Sequence, residues 1–210
     1  MPFITFEGID GSGKSSLLDS LASHLKSNGH LVEITREPGG STIGPEIRKI
    51  LLRTDGVAPC PEAELLLYEA DRAQHVALKI RPLLEKNYWV LSDRFADSSL
   101  AFQGAGRKIA QTDVAWLNQF ATQGLKPDAT ILVDCSVELS LERRTKREKA
   151  NHTKPDRFEN ENQKFHQAVR DEYLALAKNE PKRWIVIDSD QAPEEIFKTL
   201  KDQLRQRGLL

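Results

Sequence analysis

Eight residues near the start of the chain, Gly8-Ile9-Asp10-Gly11-Ser12-Gly13-Lys14-Ser15, limit what it can fold into more than any others. They fit G-x-x-x-x-G-K-[ST], the pattern of a phosphate-binding loop. The flanks suit it. Phe3 to Glu7 reads as a short buried strand, and Leu17, Leu18, Leu21, Ala22 and Leu25 recur at helical spacing. Strand, glycine loop and helix thus follow in the order the motif needs. Glycines let the backbone wrap with its N–H groups inward, where side chains would block a phosphate. Lys14 can reach outer phosphates, the Ser15 hydroxyl can hold magnesium, and the helix N-terminus favours an anion.

The rest of the chain bounds the setting of this loop. Its 210 residues suit one domain with room for a core. A formal net charge of −1 gives no overall attraction to nucleic acid or to a membrane surface. Cys60 and Cys135 make neither a disulfide framework nor a zinc spacing, and the five histidines show no ligand spacing. No leader pattern or long apolar run is evident, so the expected location is the cytoplasm.

Further strands are expected at 30–35, 88–92, 128–134 and 184–187, alternating with helices. That pattern predicts an α/β fold: a five-stranded parallel sheet flanked by helices. Arg36-Glu37-Pro38-Gly39-Gly40 directly follows the second strand and is a plain turn or a substrate contact. The helix or helix pair at 62–85 has Tyr68 and Arg72 on one face, with Pro82 as a kink or restart. Asp93, at the tip of the third strand, suits either a magnesium carboxylate or a helix cap. Ser98, Ser99 and Gln103 suit a polar ring edge or a solvated face. A helix at 112–123 places Val114, Leu117 and Phe120 together. Arg143, Arg144, Lys146, Arg147 and Lys149 form a basic run before the aperiodic residues 151–155, and a mobile lid at about 143–158 is favoured over a solvated face.

Taken together, these segments resemble the thymidylate kinase family over nearly the whole chain. The resemblance rests on Phe3 to Gly8 into the loop, Arg36 to Gly40, Asp93-Arg94-Phe95, Asp97 to Gly104, and Asp156-Arg157-x-Glu159. It implies a single P-loop kinase domain over 1–210 that passes the γ-phosphoryl group of ATP to dTMP, with Mg2+, usually as a homodimer. Gly8 to Ser16 would hold ATP, and Ser15 and Asp93 the metal. Lys14, Arg94 and a lid cation would act on the moving phosphoryl group. Asp10, Glu37, Pro38, Arg48, Arg94 and Ser98 would line the dTMP site, Tyr68 would stack on the base, and Arg72, Ser99 and Gln103 would read its edge. Asp188 to Pro193 would lie beside adenine.

Two positions depart from the common pattern. Phe102 stands where many relatives have Tyr, which removes a hydroxyl near the sugar. Asp10 stands where some relatives carry Arg, so the second cation would come from the lid, Arg147 first and Arg143 second. The alternatives are another P-loop nucleoside or nucleotide kinase, or a non-catalytic nucleotide-binding switch. No Asn-Lys-x-Asp guanine signature is present.

Overall fold

The computed structural model describes residues 1–152 and 154–210. Five strands form one parallel sheet: β1 (Phe3–Glu7), β2 (Val32–Arg36), β3 (Trp89–Asp93), β4 (Ala129–Asp134) and β5 (Trp184–Asp188), in the order β2-β3-β1-β4-β5. β1 is central and buried at every position, which suits its unbroken run of Phe, Ile, Thr, Phe and Glu. Strand parity sends Ile4 and Phe6 to one face and Phe3, Thr5 and Glu7 to the other.

The first face packs on α1 (Lys14–Ser27) through Leu17, Leu18, Leu21 and Leu25, and on the C-terminal helix through Leu200 and Leu204. On the other face Phe3 and Val90 meet Val76, Ile80 and Phe95, while Leu132 and Trp184 join Phe165, Val169 and Tyr173. The remaining helices are α2 (Gly44–Leu52), α3 (Pro61–His75), α4 (Arg81–Glu85), α5 (Ala96–Ser99), α6 (Gln111–Thr122), α7 (Val137–Asn151), α8 (Gln163–Asn179) and α9 (Pro193–Gln206).

Two π-helical stretches interrupt the helical runs. Val76–Ile80 joins α3 to α4 without a break, the Arg81 N–H donating to the Val76 carbonyl, and Pro82, which has no N–H to give, follows directly. Leu100–Gly106 continues α5, with the Arg107 N–H donating to the Phe102 carbonyl at 2.9 Å. The wider turn brings both Phe102 and Gln103 to one pocket.

Two expectations change. Phe120 does not share the inward side of α6 with Val114; it is 71% exposed, and the buried set is Val114, Asn118, Ala121 and Thr122. The basic run is helical: α7 continues to Asn151 and carries Arg143 to Lys149. Within the expected aperiodic segment, Thr153 lies outside the described residues.

Candidate active site

The site lies at the carboxyl ends of the central strands, where β1 is flanked by β3 on one side and β4 on the other. The loop after β1 turns with Gly8, Gly11 and Gly13 at positive φ. At Gly8 a Cβ would come within 2.5 Å of the Val133 carbonyl, so a side chain there would push the loop off β4. α1 starts at Lys14 with no side-chain cap, which leaves its first N–H groups free for an anion. Lys14 is buried, donates to the Ile9 carbonyl at 3.0 Å and lies 3.8 Å from Asp10. Burial, helped by nearby Arg94, pushes its ammonium pKa down.

Ser15 Oγ donates to Asp93 Oδ2 at 3.0 Å. A hydroxyl and a carboxylate oxygen at this distance are hard donors, the kind magnesium takes together with phosphate oxygens and water. Next to them, Arg94 has φ 72°, a rare conformation for a non-glycine residue. It aims the guanidinium back across the loop, to Asp10 Oδ1 at 2.7 Å and the Gly8 carbonyl at 2.9 Å, with the Phe102 ring 4.8 Å below. Burial opposes both charges of this pair, yet each outweighs it for the other. The Asp10 carboxyl is held below the usual range, with Lys14 contributing, and Arg94 stays firmly cationic.

Beside Arg94 opens a pocket of about 520 Å³. Asp10, Glu37, Pro38, Arg48, Tyr68, Arg72, Arg94, Ser98 and Gln103 all line it. The turn after β2 is built for closeness: a Cβ on Gly40 would stand 2.4 Å from the Arg36 carbonyl and 2.7 Å from His75. Glu37–Pro38 is a cis peptide, and the Pro38 carbonyl accepts from Arg48 at 2.8 Å. Ser99 is not on the wall. It sits behind Arg72, accepting from Nη1 at 2.8 Å and donating to Glu69 at 2.9 Å. Its spacing in the sequence is the same whether it faces a ligand or supports the residue that does.

Leu52, Asp156 and Phe158, none of them expected on the pocket wall, complete it, and Glu69 and Asn118, likewise unexpected, hold Arg72. Phe158 meets both Tyr68 and Phe102 edge to face. It stands inside the Asp156-Arg157-x-Glu159 turn, whose unspecified third position was the available signal. Asp97, part of the same signature as Ser98, instead forms a two-pronged pair with Arg183 that ties α5 to the loop before β5.

A second, larger cavity of about 1290 Å³ lies over the glycine loop. Lys14, Ser15, Ser16, Asp93, Arg94, Arg143 and Arg147 reach it. Four of the five cations of the basic run part company here. Arg143 donates to Ser189 Oγ and carbonyl at 3.0 and 2.8 Å. Arg144 is buried and donates to the Glu159 carbonyl at 2.7 Å. Lys146 points outward to Glu142, while Arg147 pairs with Glu159 at the edge of the cavity. A third cavity runs from Gly13 and Leu17 to Ser189, Gln191 and Pro193, the segment that the resemblance sets beside adenine.

The family model described as thymidylate kinase matches residues 6–200. The chain belongs to the thymidylate kinase family. A thymidylate kinase of Bdellovibrio bacteriovorus is 50% identical over 210 residues, covering 100% of this chain and 98% of that one. Thymidylate kinases of Pelobacter propionicus and Geotalea uraniireducens are each 49% identical, over 208 and 194 residues. They cover 99% and 92% of this chain and 95% and 91% of their own. The cavity over the glycine loop and the aromatic-walled pocket beside it share Asp10, Arg48 and Arg94 in their linings.

Proposed function

We propose that this protein transfers the γ-phosphoryl group of ATP to dTMP, giving dTDP and ADP. The observation that carries the reading is Arg94, which lines both cavities at once. A cation there meets acceptor and donor phosphates together. Phosphoryl transfer asks little covalent chemistry of the protein, so positioning and charge do most of the work. Lys14 and the first N–H groups of α1 bind the donor phosphates. Arg48 and Arg94 hold the dTMP phosphate, and Tyr68 and Phe102 bracket the base and sugar. Arg147, at the rim of the phosphate cavity, supplies charge from the lid segment, about 143–158. Arg143, held at Ser189, borders the adenine end.

Ser15 and Asp93 would hold Mg2+. Bound there, the ion would offset phosphate charge and align the donor.

The protein is read as a homodimer. Trp116 and Phe120 stack at 5.9 Å on the outer side of α6 while 66% and 71% exposed, and Leu66 of neighbouring α3 is 55% exposed. Among the described residues, no helix is long and apolar enough to cross a membrane. The two free thiols suit the reducing cytoplasm.

A coupled ADP-release assay over dTMP, dUMP, AMP, GMP and thymidine tests the reading. The expected result is magnesium-dependent turnover with dTMP above the others, lowered ~100-fold or more by Lys14→Ala. Folded protein without dTMP-dependent ADP release would refute it.

A further inference from the structure

Glu64 is fully buried in α3, and donors surround its carboxylate. Arg107 Nε lies 3.2 Å from both oxygens, Arg157 Nη1 lies 2.7 Å from Oε2, and Gln103 Nε2 donates to Oε1 at 2.8 Å. A carboxylate only accepts, so the Gln103 amide has one satisfactory orientation: nitrogen toward Glu64, oxygen away. Gln103 lines the nucleotide pocket, and its Oε1 has no donor among the described residues. The pocket is therefore offered a hydrogen-bond acceptor, fixed in sign by a residue absent from its wall.

We propose that Glu64 is a specificity-determining positioning residue: by locking the Gln103 amide, it makes the site accept a pyrimidine whose ring N3 carries a hydrogen. The inference rests on the thymidylate kinase reading above. Thymine and uracil have N3–H, a donor that meets Oε1. Cytosine N3 is a bare acceptor that would face another acceptor. An amide free to flip would serve both rings by turning its NH2 to the pocket. With Glu64 in place, that flip would set the amide oxygen against a carboxylate and leave a buried acceptor unpaired.

The test compares kcat/KM for dTMP and dCMP in four proteins. The parent should prefer dTMP strongly. Glu64→Gln can donate as well as accept, so it frees the amide, and the preference should fall about tenfold or more. The exchange variant Glu64→Gln with Gln103→Glu restores the sign. The amide now at 64 donates, the carboxylate now at 103 presents an oxygen to the pocket, and one negative charge remains beside Arg107 and Arg157. Its preference should return to within a few-fold of the parent.

Arg107→Met serves as the structural control. It loosens the same cluster without touching the amide, so it should lower the melting temperature and leave the preference unchanged. If Glu64→Gln does not fold, the exchange variant decides alone. A parental preference in folded Glu64→Gln, an exchange variant without recovery, or an equal fall in Arg107→Met would each overturn the assignment. A parent without dTMP turnover overturns the underlying reading as well.

Discussion

Arg72 shows how much a single side chain in this site is asked to do. Nε meets Glu37 at 2.8 Å, Nη1 meets Glu69, Ser99 and Asn118, and Nη2 meets the Phe95 carbonyl at 3.1 Å. One Nη2 hydrogen is left for a ligand. Arg72→Ala is then first a structural lesion, since it strands two buried carboxylates. The expected loss is about 3–5 kcal/mol of stability, read as a lower midpoint in urea titration, with weaker dTMP binding only in whatever stays folded. An unshifted midpoint would show that the cluster is not under this strain. Glu7, beneath Arg94, makes a different prediction. It accepts from Ser98 at 2.6 Å, Tyr173 at 2.7 Å and the Phe95 N–H at 2.8 Å. Burial, reinforced by Asp97 and opposed by Arg94, raises its pKa from 4.5 to about 7. The folded state thus holds this proton more tightly than the unfolded chain. The stability it contributes is complete below pH 4.5 and is lost as pH rises through 7, at about 1.4 kcal/mol per pH unit in that window. Glu7→Gln has no such proton, so its stability relative to the parent should climb between pH 5 and 7.5. Denaturant titrations of both proteins at the two values check it, and a constant difference would assign Glu7 an ordinary acidity.

At the scale of elements, α7 turns a run of charge into a selection. Arg143 and Arg147 are one helical repeat apart and both reach the phosphate cavity, whereas Lys146 pairs with Glu142 and is 74% exposed. Arg147→Ala should therefore lower kcat by ~10²-fold with little change in either KM, and Lys146→Ala should stay near the parent. Equal, small effects at both positions would make the run a solvated face. The strands and α1 were legible in advance because each is an apolar run or repeat bounded by turn residues. Other features left no such mark. A π turn carries no residue signature of its own, so neither 76–80, inside the helix or helix pair expected at 62–85, nor 100–106 announced one. On α6, hydropathy grouped Phe120 with Val114, but the position that packs inward beside it belongs to Asn118, a polar residue buried because it donates to the Ala96 carbonyl and accepts from Arg72. In the site, Lys14, Ser15 and Asp93 were legible from local motifs. The supports of Arg72 were not, because Glu37, Ser99 and Asn118 lie 35, 27 and 46 positions away in the chain.

For the molecule as a whole, the stacked aromatics on α6 set the test of assembly. Trp116→Asp with Phe120→Asp should convert a dimer to a monomer in light scattering while leaving the melting transition cooperative, since neither ring is part of the core. A parent that is already monomeric would remove the dimer reading. The order of the sheet also bears on how the chain acquires its structure. β1 is synthesised before the other strands of this sheet, yet its neighbours are β3, which pairs Val90 with Phe3, and β4, which pairs Ala129 with Ile4. The glycine loop leans on Val133 and on Ser140, whose hydroxyl donates to the Asp10 carbonyl at 2.5 Å. A growing chain therefore carries its glycine loop without these supports until Ser140 has emerged. Loop closures this long are slow. The loop is made before its supports and completed only after them, and a ribosome stalled before β4 would display the whole motif without the Val133 and Ser140 contacts that hold its shape.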